Sequence, residues 1–218
     1  MNAVVTADVI DSTSLSVEGE DLVLRAIYET FGKDSTMRTN VEESSFTITR
    51  GDSIQFELDD ATKALKTALV LKAAINKITL LSNKKPSIDV RIAIGIGEVA
   101  AKRSFVNEST GEAYTNSGRT LDSMKKNKRT LAIKTGNDNL DAELETAFKL
   151  LEVIMSGWGV TSAEVVYWTL IGLNENEISD KLNITQSAIN QRKKTAGWSG
   201  IEPLLERFEE LMRKEEIK

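Results

Sequence analysis

The chain has neither cysteine nor histidine among its 218 residues. The first absence removes disulfides, thiolate metal sites and cysteine nucleophiles. The second removes the imidazole of a Ser-His-Asp triad and the usual zinc ligands. A bound metal would have to sit on oxygen, which favours hard cations such as magnesium, manganese or calcium. No apolar run approaches the roughly 18 to 20 residues of a membrane span, and the start MNAVVTADVI has no basic leader, so a cytoplasmic location away from membranes is expected. A net charge of −5 excludes coating of nucleic acid by bulk electrostatics but leaves room for a local basic face.

What the chain does have is ordinary globular composition, 40% hydrophobic and 28% charged, with a length suited to one large or two ordinary domains. The β-branched run of residues 2–10 reads as a strand ending in the polar turn Asp11, Ser12, Thr13, Ser14. Helical spacing then runs from about Glu20 to Phe31. In SFTITRGDSIQFEL the alternation on both sides of Arg50, Gly51 and Asp52 predicts a β-hairpin with Asp52 at its tip. An amphipathic helix follows from Asp59 and Asp60, with Ala61, Ala64, Leu65, Ala68, Leu69, Ile75 and Ile78 on its apolar stripe.

VRIAIGIGEV sets Val90, Ile92, Ile94 and Ile96 on one face and Arg91, Ala93, Gly95 and Gly97 on the other, predicting a central strand with a nearly bare face that another element approaches closely. A helix over about 113–124, a basic turn and the short strand TLAIK complete an α/β (α+β) domain over residues 1–136. Polar residues 136–139 mark the boundary, and 137–218 reads as a helical linker followed by a helical domain.

Asp8 leaves the first strand and Asp52 tips the hairpin expected beside it, so their carboxylates can converge and hold magnesium against triphosphate oxygens. The segments TADVIDSTSLS, RGDSIQFEL, RIAIGIGEV and GEAYTNSGRTLDS resemble, in order, the four signature segments of class III nucleotidyl cyclases. The whole chain resembles the SatD family of bacterial proteins. The cyclase resemblance implies a ferredoxin-like βαββαβ sheet on which Asp8 and Asp52 ligate Mg²⁺ or Mn²⁺ with a carbonyl of Val9 or Ile10. It also implies that Asp11, Ser12 and Thr13 face the phosphates of a nucleotide ligand or NTP substrate, and that two copies pair as a homodimer. Arg119 fills the position of the transition-state arginine, while the asparagine position holds Thr115, with Asn116 next to it. Ile48 stands where adenylate cyclases carry a base-reading lysine, and the partner aspartate has Glu108 as its nearest counterpart. Adenine specificity is therefore not expected.

Towards the C-terminus, Thr161 and Ser162 are placed to cap a helix through about Ile171. Asn174 precedes ENEISDKL, Asn183 and Ile184 make a turn, and Thr185 caps QSAINQRKKT. This pattern resembles the helix-turn-helix of response regulators and sigma factors, whose second helix enters the DNA major groove. The resemblance gives Gln186, Ser187, Asn190 and Gln191 to base edges, and Thr185, Arg192, Lys193 and Lys194 to phosphates. Residues 160–218 hold 8 Lys or Arg against 10 Asp or Glu, so a single copy is expected to bind DNA weakly and a dimer more tightly. Two functions follow as expectations: a nucleotide-responsive transcriptional regulator, or an active nucleotidyl cyclase or other NTP-converting enzyme governed by its C-terminal domain.

Overall fold

The computed structural model describes residues 1–32, 45–49, 52–79, 88–101 and 109–216. Strand β1 (Asn2–Val9) leads through a one-turn 3-10 helix at Ser12–Ser14 to α1 (Val17–Phe31). The helix starts ahead of the expected Glu20 because the Ser16 side chain accepts the Gly19 N–H and caps it. Strands β2 (Ser45–Thr49) and β3 (Ser53–Leu58) form the expected hairpin. After α2 (Ala64–Asn76) come β4 (Val90–Gly97), the short pair β5 (Val99–Ala101) and β6 (Thr110–Gly111), α3 (Glu112–Asn127) and β7 (Leu131–Lys134).

The main sheet has the order β2-β3-β1-β4-β7. Its first three pairings are antiparallel and β4 pairs with β7 in parallel. The four strands β2, β3, β1 and β4 have the ferredoxin-like order, and the α3 crossover adds β7 beyond β4.

Alternation divides the sheet between two layers. Ala3, Val5, Ala7 and Val9 of β1 join Ile54, Phe56 and Leu58 of β3 in one buried cluster with α1 and α2. Ala93 of β4 instead packs with Leu121, Met124 and Ala132, under α3. The bare face of β4 is what lets α3 come so near. An added Cβ at Gly95 would lie 2.2 Å from the Ala113 carbonyl oxygen.

The chain continues as α4 (Asp138–Ser156), α5 (Val160–Leu170), α6 (Glu175–Leu182), α7 (Gln186–Thr195) and α8 (Trp198–Glu216). Two expectations need correction. Thr161 and Ser162 do not cap α5, which begins at Val160 behind Gly159, with Ser162 buried. Nor is α2 amphipathic: of its thirteen residues only Lys66 is not buried. The sheet covers one side of α2 and α5 another, so even Thr67, Lys72 and Asn76 are enclosed. The expected boundary falls between β7 and α4, yet one apolar cluster runs from Ala3 to Met212 across it. Among the described residues no helix is long and apolar enough to cross a membrane.

Candidate functional site

Where β1 ends, its turn, the start of α1 and the hairpin tip enclose a cavity of about 170 Å³ lined by Val9, Ser12, Thr13, Leu15, Glu20, Val23 and Asp52. Main-chain bonds set its walls. The Val9 N–H donates to the Asp52 carbonyl at 3.0 Å, and the Ile10 N–H to the Asp89 carbonyl at 2.8 Å. Asp11 takes the left-handed conformation with φ 54°, which turns the chain into the 3-10 helix. Its carbonyl accepts the Ser14 hydroxyl at 2.7 Å. The Asp52 carboxylate accepts the Ser12 hydroxyl at 2.9 Å. One wall of the cavity thus carries a carboxylate and two hydroxyls, and Glu20 adds a second carboxylate from the first turn of α1.

Asp8 does not line this cavity. Arg91, its cross-strand partner on β4, donates Nη1 to both carboxylate oxygens at 2.9 and 3.0 Å. Lys125 of α3 adds a second cation at 3.1 Å. The Asp8 side chain is 14% exposed and the Arg91 side chain 17%. Low exposure strengthens such a pairing and makes it costly to leave half-made. Of the sequence-predicted set, the fold brings Val9, Ser12, Thr13 and Asp52 together and commits the Asp8 carboxylate elsewhere. Among the described residues no group of three or more acidic side chains is placed to hold a metal ion. The oxygen donors round the cavity have the right chemistry for a hard cation, but the protein contributes few charges to one.

Other predicted positions fall on neighbouring elements. Ile48 faces Ile54 across the hairpin and packs on the core, outside the cavity lining. Thr115 is exposed on α3 and donates its hydroxyl to the Gly111 carbonyl at 3.1 Å. Asn116 donates its side-chain amide to the Ile96 carbonyl at 2.8 Å, so its donor holds α3 to β4. Arg119 is exposed on the same helix, with no hydrogen-bond or ion-pair partner among the described residues. Glu108, Arg50 and Gly51 lie outside the described residues.

Sequence reasoning missed three polar groupings. Lys72 of α2, with its side chain 4% exposed, pairs with Asp89, which also accepts the Asn76 amide at 3.0 Å and the Val90 N–H at 2.8 Å. The signal was a lysine inside the apolar run ALVLKAAI. Glu57, buried on β3, accepts the Tyr114 hydroxyl. Burial first, then the bond to that carboxylate, raises the phenol pKa. Arg129 bridges Glu145 and Glu152 and so fastens α4 beside β7. Nothing local in the sequence pairs residues so far apart.

The helix, turn and helix expected towards the C-terminus form, but two of the side chains assigned to phosphates, Arg192 and Lys193, are paired within the protein. A capping box of Asn174 and Glu177 starts α6, Asn183 closes it at φ 51°, and the Thr185 side chain accepts the Ala188 N–H to open α7. Buried Ile178 and Ile189 turn these helices into the core. Thr185, Gln186, Ser187, Asn190, Gln191 and Lys194 are exposed. At about 100° per residue the five on α7 span a sector of roughly 140°. Gln186 donates to Asn176 of α6. Arg192 and Lys193 are turned inward, to Glu164 at 3.4 Å and Glu175 at 3.1 Å.

No curated protein matches the chain. The family model described as the SatD family matches residues 3–201, which take in all of the sheet but Asn2, the cavity and α7.

Proposed function

Since the chain belongs to the SatD family, we propose that it is a DNA-binding transcriptional regulator whose cyclase-like sheet domain senses a nucleotide with Mg²⁺ or Mn²⁺. The observation that carries this reading is the outward polar face of α7. Amide and hydroxyl side chains stand exposed on the second of two helices joined by a short turn, while the apolar residues of both helices point inward. Such side chains match the donor and acceptor pattern of base edges in the major groove. A second copy would supply a second reading helix and raise the modest affinity expected of one. Replacing Asn190 with alanine should weaken binding to a selected duplex about tenfold, within the range for one bidentate base contact. Lys194→Ala should instead weaken all sequences alike and lower the salt slope by about one. Anisotropy titrations on duplexes selected from a random pool measure both effects. A full-length protein that selects no duplex at 50 mM salt would end the regulator reading.

The cavity supports the sensory half. Asp52, with the carbonyl of Val9 or Ile10, would share a hard cation with phosphate oxygens; Thr13 would donate to those oxygens, and Ser12 would do so on releasing Asp52. The cation would neutralise phosphate charge, and Asp8 would join it only by leaving Arg91 and Lys125. Calorimetry with each of the four NTPs and Mg²⁺ or Mn²⁺ should show binding, and Asp52→Asn should weaken it roughly 10- to 100-fold, the scale of one charged contact. Exposed Arg119 favours the second reading, an NTP-converting enzyme, because an arginine with no partner among the described residues can serve phosphate in a partner's site. Cyclic product in chromatographed mixtures would select that reading over the regulator.

A further inference from the structure

Helix α1 has one end at the cavity and the other, packed beside α2, joined to α5 by a side-chain hydrogen bond. Glu20 and Val23 of its first turns line the cavity. Its fifteen residues span about 22 Å at 1.5 Å per residue. In the last turn Thr30, 1% exposed, donates its hydroxyl to the Ala26 carbonyl at 2.6 Å. With that proton committed, the Thr30 oxygen accepts from the Tyr167 hydroxyl of α5 at 3.0 Å. Tyr167 is itself 1% exposed, and the Lys77 ammonium lies 4.7 Å from its ring centroid.

From Tyr167 the connection runs into the reading helices. The neighbouring Trp168 ring carries the Lys181 ammonium of α6 at 4.2 Å from its centroid. Glu164, one turn earlier, holds Arg192 of α7. Trp158, just ahead of α5, donates its indole N–H to the Ala196 carbonyl at the end of α7 at 2.9 Å. All these helices share one close-packed cluster. Packed interiors transmit small displacements because they cannot absorb them.

We infer that α1 is the coupling element of the proposed sensor: a nucleotide in the cavity shifts α1, and the Thr30–Tyr167 hydrogen bond passes the shift through α5 to the presentation of α7. This rests on the cavity being the nucleotide site. Neither Thr30 nor Tyr167 touches the cavity or the exposed face of α7, so their role separates from binding itself. Linkage makes the effect reciprocal, and a bound duplex should tighten or weaken nucleotide by the same factor that nucleotide alters duplex affinity.

Hydrogen exchange followed by mass spectrometry on the full chain tests this, with Mg²⁺ and each NTP in turn as probe. In the wild type, nucleotide should slow exchange across residues 9–23 and change the rate across 186–195 by about fivefold or more. Tyr167→Phe removes only the hydroxyl and leaves Thr30 bonded to Ala26. It should keep the protection at 9–23 and lose the response at 186–195. Thr30→Val breaks the same bond from the other side and should behave alike, each variant being checked for a native thermal midpoint. A response at 186–195 that survives in both variants overturns the coupling, as does protection at 9–23 with no response at 186–195 in the wild type. No protection at 9–23 with any NTP overturns the nucleotide reading, and the coupling with it.

Discussion

Gly95→Val is expected to unfold α3 from the sheet, at a loss of about 3 kcal/mol or more in equilibrium denaturation. A Cβ at this position would lie 2.2 Å from the Ala113 carbonyl oxygen, 2.3 Å from the Ser117 nitrogen and 2.9 Å from the Ser117 Cβ. Two of the three are main-chain atoms of α3, so no rotamer change relieves the contact. The helix must lift. Lifting it breaks the Asn116 bond to Ile96, the Thr6 bond to Ser117 and the Lys125 pairing with Asp8. Gly118 supplies the control on the same helix, since an added Cβ there meets nothing within 4 Å. Gly118→Ala should stabilise by about 0.5 to 1 kcal/mol through helix propensity. Urea titrations of both variants decide the matter. A Gly95→Val protein as stable as wild type would mean that α3 does not sit where these distances put it.

Asp89→Ala is expected to cost about 3 to 5 kcal/mol, because it strands the Lys72 ammonium inside the protein. Lys72 is 4% exposed at its side chain, against 41% for Asp89, so the two halves of the pair are not equivalent. Without Asp89 the lysine keeps, among the described residues, only the Val90 carbonyl at 3.3 Å, and Asn76 and the Val90 N–H lose an acceptor as well. Removing the lysine instead leaves a carboxylate that water can reach, so Lys72→Met should cost less than about 1 kcal/mol. Lys72→Met with Asp89→Asn should lie near neutral, as apolar replacements of buried pairs often do. Denaturation at neutral pH should therefore rank Asp89→Ala well below the other two. Equal losses for Asp89→Ala and Lys72→Met would sink the asymmetry and with it the account of Lys72 as a buried, dependent charge. Asp89 also matters to the cavity, since its carbonyl holds the Ile10 N–H where β1 turns.

The elements themselves were legible. β-Branched runs with period two, the hairpin signal around Asp52 and the helical spacing of the C-terminal segments depend on local sequence, which states its own periodicity. The cap at Thr185 was legible for the same reason, since a cap is a contact over two or three residues. Even the approach of an element to Gly95 could be expected from a strand face bare of side chains. Local reading failed where burial came from afar. The enclosure of α2 on both sides was invisible because α5 lies almost a hundred residues further on, and a helix covered by two layers loses the polar stripe that amphipathic reading looks for.

For the candidate site the division is sharper. Composition alone, with no cysteine or histidine, settled which metal chemistries are closed to this chain. Spacing placed Asp8 and Asp52 at adjacent strand ends, and the register places Asp8 opposite Ser53, next to Asp52. What the carboxylates touch was decided by tertiary structure alone. The side chain of Asp8 meets Arg91 across the sheet and Lys125 on the helix above, while that of Asp52 meets Ser12 in the cavity. Along a strand, successive side chains leave on opposite faces, so neighbours in register can face different layers. Which layer carries a cation, a hydroxyl or a cavity depends on helices that the strand's own residues do not specify.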